Sequence, residues 1–183
     1  GVDGVAITVA QHLENQRNID FLEEDYVAAA LKQGQIAIGR PVFDKKLHEP
    51  ILGMAVPIRN LQGQVIGALA GVINLAQPGF LDGISRSQYG ESGGYVLVAP
   101  QHRMIVMASD RRRAMEVLPP HGVNPTMDRF FDGYEGTEIF VNPVGVEVLS
   151  SVKRIPVAGW YIGVALPTAE AFAPIHALQQ RML

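Results

Sequence analysis

Residues 50–75 have the sequence PILGMAVPIRNLQGQVIGALAGVINL, and this stretch decides the fold class. Residues 50–58 and 64–75 are rich in Val, Ile and small residues, a composition that favours strands. The NLQG segment at residues 60–63 has the composition of a tight turn. The stretch therefore predicts an antiparallel hairpin, and two glycines inside its second strand indicate a bulge or a close backbone approach.

The segments before this hairpin predict a helix and more strand. Residues 21–33 predict a helix, because acidic residues cluster at its start and Gly34 provides a stop. Residues 35–43 predict an extended segment that Pro41 interrupts. A turn that leads into a strand is predicted at residues 1–9. The first part of the chain thus combines helix with antiparallel sheet.

The segments after the hairpin predict a second module. The QPG sequence at residues 77–79 breaks the chain, so we expect one module at residues 1–78 and another at 79–168, followed at 169–183 by the start of a helix leading to the membrane. The second module is predicted to contain two short helices and five strands. In chain order, the helices are residues 80–89 and 125–131, and the strands are residues 95–99, 104–108, 136–142, 146–155 and 160–166.

A short pattern occurs once in each module. Gly63-Gln-Val-Ile-Gly67 and Gly159-Trp-Tyr-Ile-Gly163 each begin a strand that closes a hairpin. Two related α+β modules in tandem fit this arrangement better than one large sheet.

Composition excludes several classes of function. The 183 residues carry a net charge of −3 and include no cysteine, which argues against nucleic-acid binding, disulfides and thiolate metal sites. The histidines show no metal-binding spacing, so neither a metal nor another cofactor is expected. The longest apolar stretch, residues 65–76, is too short to span a bilayer. The abrupt beginning and end of the chain suggest a soluble piece of a longer protein.

The order and spacing of several motifs resemble a double Cache sensor domain. The motifs that resemble its membrane-distal half are DY at 25–26, GRPVF at 39–43, EPIL at 49–52, VPI at 56–58 and GQVIGALAG at 63–71. The motifs that resemble its membrane-proximal half are GESGGYVLV at 90–98, GW at 159–160 and PTAEAFAP at 167–174. Residues 124–136 are similar to versions carried by bacterial diguanylate cyclases.

The resemblance implies two tandem PAS-like modules, each a central antiparallel sheet with flanking helices, and implies that the family's long N-terminal helix is missing here. It implies a non-enzymatic, periplasmic sensor domain of a membrane-anchored, homodimeric receptor. A small-molecule signal would pass to a cytoplasmic output, for which a diguanylate cyclase (GGDEF) domain is the first candidate.

The resemblance also guides the choice of ligand. Family members that bind amino acids hold the carboxylate with an arginine and aromatic residues near the distal helix, and the ammonium with an aspartate on the last distal strand. This sequence has Glu23, Asp25 and Val72 at such positions, and only Tyr26 matches. An α-amino acid is therefore not expected to bind by that mechanism.

The remaining polar and aromatic residues of the first module form the predicted ligand site. These residues are Tyr26, Arg40, Phe43, Asp44, His48 and Asn74, with Arg59 nearby in sequence. Arg40 is the first choice, because an arginine in a concave site binds a carboxylate through two hydrogen bonds. The alternative is that Arg40 and Asp44 are solvated loop charges and that His48 is a surface histidine.

Two other functions remain open at this point. The first is a ligand-free dimerisation or protein-docking module of a histidine kinase or chemoreceptor. Gly90-Glu-Ser92-Gly-Gly94 is similar to the nucleophile loop of chymotrypsin-like proteases, but His48 and His102 lack the flanking residues of a base. Arg111–Arg113 predicts a solvated face, and Trp160 is predicted to lie in the core.

Overall fold

The structure is a computed structural model that describes residues 2–6, 22–44, 48–77, 83 and 88–181. The chain divides into two compact units, Gly1–Leu75 and Ala76–Leu183. Most of the strand predicted at residues 1–9 and most of the helix predicted at 80–89 lie outside the described residues. The last two residues of that predicted helix are instead a strand.

The first unit contains one helix and an antiparallel sheet. Its elements are α1 (Asp25–Lys32), β1 (Ala37–Ile38), β2 (Val42–Asp44), β3 (Glu49–Arg59) and β4 (Val65–Asn74). Strand β3 is central: β4 pairs with one edge, and β1 and β2 pair one after the other with the opposite edge. The predicted hairpin is confirmed, and its register shifts between Ile58 and Arg59.

Helix α1 packs its apolar side on this sheet. Tyr26, Val27 and Ala30 are buried and form a core cluster with Ala55 of β3. The helix is shorter than predicted, because the residues just before Asp25 form a turn. A backbone φ of +65° at Gly34 prevents the helix from continuing, as expected for a glycine at this position.

The second unit contains a larger antiparallel sheet. Its elements are β5 (Gln88–Tyr89), β6 (Gly93–Ala99), β7 (Met104–Ala108), α2 (Pro125–Phe131), β8 (Gly136–Val141), β9 (Glu147–Ile155), β10 (Trp160–Pro167), α3 (Thr168–Ala171) and α4 (Ala173–Arg181). The strand order is β6-β10-β9-β8, with β5 and β7 both on the outer edge of β6.

One face of this sheet and helix α2 enclose the core of the second unit. Its buried residues are Val98, Ile105, Ala108, Leu118, Met127, Phe130, Val152 and Tyr161. The helix predicted at residues 125–131 is confirmed. The Asn124 side chain accepts a hydrogen bond from the Met127 N–H, and Pro125 occupies the first helical turn, where its missing N–H is not needed.

The predicted C-terminal helix is not continuous. It is divided at Phe172 into α3 and α4. Pro174 explains the division, because it has no N–H to donate to the carbonyl of Glu170. Every helix in the described part of the chain is too short or too polar to cross a membrane. The α+β class with antiparallel sheets is confirmed, while a tandem of related modules and a missing N-terminal helix remain predictions.

Candidate functional site

The six predicted site residues all lie in the first unit. Tyr26 is on α1, Arg40 lies between β1 and β2, Phe43 and Asp44 are on β2, His48 directly precedes β3, and Asn74 ends β4. They therefore follow the sheet edge formed by β1 and β2 and the end of the β3–β4 hairpin.

Tyr26 has a packing role in this unit. Its ring lies against Gly39 and Gly53, and a Cβ atom at residue 53 would be only 2.2 Å from the ring. Burial of the phenol raises the pKa of Tyr26 to about 12, and the negative charge of Glu24 adds to the increase. The hydroxyl therefore stays protonated at neutral pH.

One end of the sheet gathers polar residues from three strands. The Asn74 side-chain amide donates a hydrogen bond to the Glu49 carboxylate, which joins the end of β4 to the start of β3. Asp44 of β2 is paired with Glu49 in the strand register. Sequence reasoning did not select Glu49; its position directly before Pro50 at a strand start was the available signal.

Other predicted residues at this edge face solvent. Arg40 and His48 are exposed, and His48 has a φ of +54°. Phe43 is 55% exposed, which is high for a phenylalanine. Val72 lies opposite Gly53 in the register and is also exposed, so an apolar side chain occupies the position where the resemblance places an aspartate.

Arg59 is already engaged in local structure. Its Nη1 donates to the Gly63 carbonyl at 2.6 Å, and its Nη2 donates to the Gly34 carbonyl at 2.7 Å. The guanidinium thus links the turn of the β3–β4 hairpin to the end of α1. Among the arginines considered for ligand binding in this unit, Arg40 is the better candidate.

The glycine-rich turn of the second unit has a structural partner. The Ser92 hydroxyl donates to the Glu170 carboxylate at 2.5 Å, and the backbone N–H groups of Glu91 and Ser92 donate to the same carboxylate. These bonds lower the pKa of Glu170, with the Ser92 hydroxyl as the main cause. Among the described residues, the Ser92 hydroxyl bonds to this carboxylate and not to a histidine, the usual base for a serine nucleophile.

The remaining predictions concern surface charge and the core. Arg112 pairs with Asp110, and Arg113 pairs with Glu116. Trp160 is buried, which confirms its predicted core position. Its indole N–H has no hydrogen-bond partner among the described residues.

Comparisons with known proteins point to one family. The family model described as a Cache domain matches residues 3–175. No curated protein matches the chain. A solved ligand-binding domain of Mlp24 with asparagine is 16% identical, with a TM-score of 0.63; the match covers 95% of this chain and 68% of that one.

Two further solved structures share the fold. The periplasmic sensory domain of the Campylobacter jejuni chemoreceptor Tlp1 is 16% identical, with a TM-score of 0.64; the match covers 87% of this chain and 60% of that one. The extracellular domain of the putative histidine kinase mmHK1S-Z3 is 14% identical, with a TM-score of 0.66 and coverages of 85% and 58%. The chain thus spans about three fifths of the length of these two structures.

Proposed function

The chain belongs to the Cache domain family, and from this membership we propose that it is the ligand-sensing part of a bacterial membrane receptor, on the extracytoplasmic side of the inner membrane. The observation that carries the proposal is the extent of the family match, since residues 3–175 include most of both compact units. Cache domains are sensor domains and not enzymes, and the contacts of Ser92 agree with a structural role for this serine.

The ligand in this proposal is a small organic acid bound by the first unit. Arg40 supplies the positive charge, and Phe43 and Tyr26 supply aromatic surface. Asp44, His48 and Asn74 complete the set of polar groups at the sheet edge. The exposed Arg40 supports this choice, because a guanidinium without a buried ion pair can receive a carboxylate in a bidentate geometry.

The ligand in this proposal lacks an α-ammonium group. Mlp24 was solved with asparagine, and an amino acid requires a partner for its ammonium group. The exposed Val72 cannot act as that partner. An acid without an amine has no ammonium group to pair, so it avoids the free-energy cost of burying an unpaired charge.

The rest of the proposal concerns the whole receptor. Two tandem PAS-like modules at residues 1–78 and 79–168 form a homodimer with a second chain. A ligand that binds two dimer arrangements with different affinity shifts the population between them, and residues 169–183 pass the shift to the membrane. A diguanylate cyclase is the proposed cytoplasmic output; a kinase or chemoreceptor output would use the same input.

A thermal-shift screen with organic acids and their amides tests the ligand. An acid present at about 100 times its Kd adds about 2.7 kcal/mol to the free energy of unfolding and so raises Tm by several degrees. Arg40→Met should abolish the shift, while Lys32→Met, which removes an exposed positive charge from α1, should leave it intact. If no acid raises Tm, or if Arg40→Met keeps the full shift for every acid that raises it, the proposed site is wrong.

An exposed apolar face favours a second candidate function. Val56 and Leu69 are cross-strand neighbours on β3 and β4, and Ile58 lies on the same face; Leu69 is 66% exposed. Such a patch is typical of an interaction surface, as expected of a ligand-free dimerisation or docking module. The oligomeric state of the wild type and of Leu69→Lys, measured by sedimentation, distinguishes the two candidate functions. A dimer that needs Leu69 but responds to no acid would favour this second function.

A further inference from the structure

The second unit contains a partly open cavity that no part of the proposed function uses. It has a volume of about 80 Å³ and lies between the sheet and helix α2. Its walls are mainly apolar, with Val96, Val98, Val148 and Val152 from the strands and aromatic rings that include Phe130. An apolar cavity of about 150 Å³ in another protein is large enough for benzene. By that proportion this cavity holds about three heavy atoms, enough for the alkyl tail of a small ligand whose other end lies at the open side.

Two polar groups in the wall are already satisfied by the protein. The Ser150 hydroxyl donates to the Val164 carbonyl at 3.0 Å. The Asn142 side-chain oxygen accepts hydrogen bonds from the backbone N–H groups of Val144 and Val146. The Asn142 amide nitrogen is not used in these bonds. The Asn142 amide nitrogen is thus a hydrogen-bond donor that these bonds leave available.

Tyr161 lines the same cavity and is largely buried. The residue is 6% exposed, and its ring packs against the ring of Phe131. Burial raises the pKa of Tyr161, so the hydroxyl keeps its proton.

Arg113 gives the cavity its charge. Of the described lining residues, it alone is charged, and its side chain is 28% exposed, so this part of the wall reaches solvent. Its Nε and Nη2 donate to the Glu116 carboxylate at 2.6 and 3.0 Å. These two bonds leave Nη1 available for another acceptor. Glu116 consequently competes with any anion for the guanidinium.

We propose that this cavity binds a short-chain monocarboxylate on the scale of acetate or propionate, of which only the alkyl tail has to fit inside. The apolar tail lies among the valine and phenylalanine side chains. The carboxylate accepts from Arg113 at the open side, where the arginine compensates the cost of taking an anion out of water. This second site is independent of the site proposed in the first unit.

Titration calorimetry with propionate as the probe tests the proposal. Arg113→Met should weaken propionate binding at least about tenfold, because it removes a charged hydrogen-bond donor. Glu116→Gln should tighten binding, because it removes the competing carboxylate. Arg112→Met is the matched control, since this exposed neighbour pairs with Asp110, and it should bind as the wild type does. A merely structural Arg113–Glu116 pair would make both variants bind more weakly, and that result would overturn the proposal.

A second set of measurements keeps the test decisive if an arginine variant fails to fold. Propionamide, which has the same shape without the charge, should bind at least about tenfold more weakly than propionate. Ala165→Leu fills part of the cavity and should abolish binding of propionate. Absence of propionate binding to the wild type would overturn the second site alone. Loss of propionate binding in Arg40→Met would assign the acid to the first unit instead, which would overturn this inference and support the proposed function.

Discussion

The space beside Gly53 is filled by the ring of Tyr26. A Cβ atom at residue 53 would be 2.2 Å from that ring, whereas one at Gly71 on the neighbouring strand would come no closer than 3.9 Å to Met54. We expect Gly53→Ala to lower the free energy of unfolding by about 1–3 kcal/mol, since the ring must move from its place in the core. Gly71→Ala, measured by the same urea denaturation, is the control and should be close to neutral. Equal effects of the two changes would contradict the packing role of Tyr26.

Tyr26 also makes stability depend on alkaline pH. Burial raises its pKa from 10.0 to about 12 in the folded state. The folded protein holds this proton more tightly than the unfolded chain does. The contribution of the protonated phenol to the free energy of unfolding is therefore complete below about pH 10 and is lost as the pH rises towards 12. We expect a loss of up to about 2 kcal/mol between pH 9.5 and 12, measured by urea denaturation. Tyr26→Phe should lack this part of the pH dependence; parallel curves for the two proteins would show that the phenol does not titrate as expected.

At the scale of elements, Glu170 connects α3 to the turn between β5 and β6. Its carboxylate accepts bonds from the N–H groups of Glu91 and Ser92 and from the Ser92 hydroxyl. At the same end of the unit, the Thr168 hydroxyl donates to the Glu147 carboxylate at 2.6 Å, which ties the start of α3 to β9. The helix that follows the last strand is therefore fixed to the sheet at two points.

Hydrogen exchange reports directly on the Glu170 contact. Glu170→Ala should accelerate exchange of the Glu91 and Ser92 amides, because both lose their acceptor. Ser92→Ala removes only the hydroxyl donor, so both amides should exchange nearly as in the wild type. Unchanged protection of these amides in Glu170→Ala would show that the carboxylate does not hold the turn in solution.

The elements that sequence predicted best are those whose ends carry local signals. Helix α2 begins at Pro125 after the Asn124 cap, and the turn before Val146 contains a proline and a glycine, so both positions followed from neighbouring residues. The division of the last helix near Pro174 had the same kind of signal, which the prediction did not use. Local chemistry therefore accounts for the positions of most of the strands along the chain.

The contacts that sequence could not predict join distant residues. The Asn74–Glu49 bond depends on the register of β3 and β4, and the Ser92–Glu170 bond joins residues 78 positions apart. Amino-acid composition likewise does not predict a cavity, because the space between the sheet and α2 depends on how the core side chains pack. Membership in the Cache family agrees with the sequence resemblance.

At the scale of the whole molecule, the two compact units differ in how much structure surrounds their cores. The second unit has six described strands, of which β6, β10 and β9 lie inside the sheet, and a core cluster of eight buried residues, two of which, Met127 and Phe130, belong to helix α2. A cluster of this size, with its own antiparallel sheet, is what an independently folding domain requires. The division after Leu75 leaves all of these elements in one piece.

We therefore expect residues 76–183 to fold on their own. The chain contains one tryptophan, Trp160, which is buried in β10, so its fluorescence reports on this unit alone. The fragment should unfold in urea with a single cooperative transition and with the blue-shifted emission of a buried indole, because Trp160 lies on β10 inside this unit's sheet. Phe130→Ala, which empties part of the core, should lower its stability by about 3–5 kcal/mol, whereas Val157→Ala at an exposed turn should be close to neutral. A fragment with red-shifted emission and no cooperative transition would mean that the second unit needs residues 1–75 to fold, and the proposal of two tandem modules would then fail.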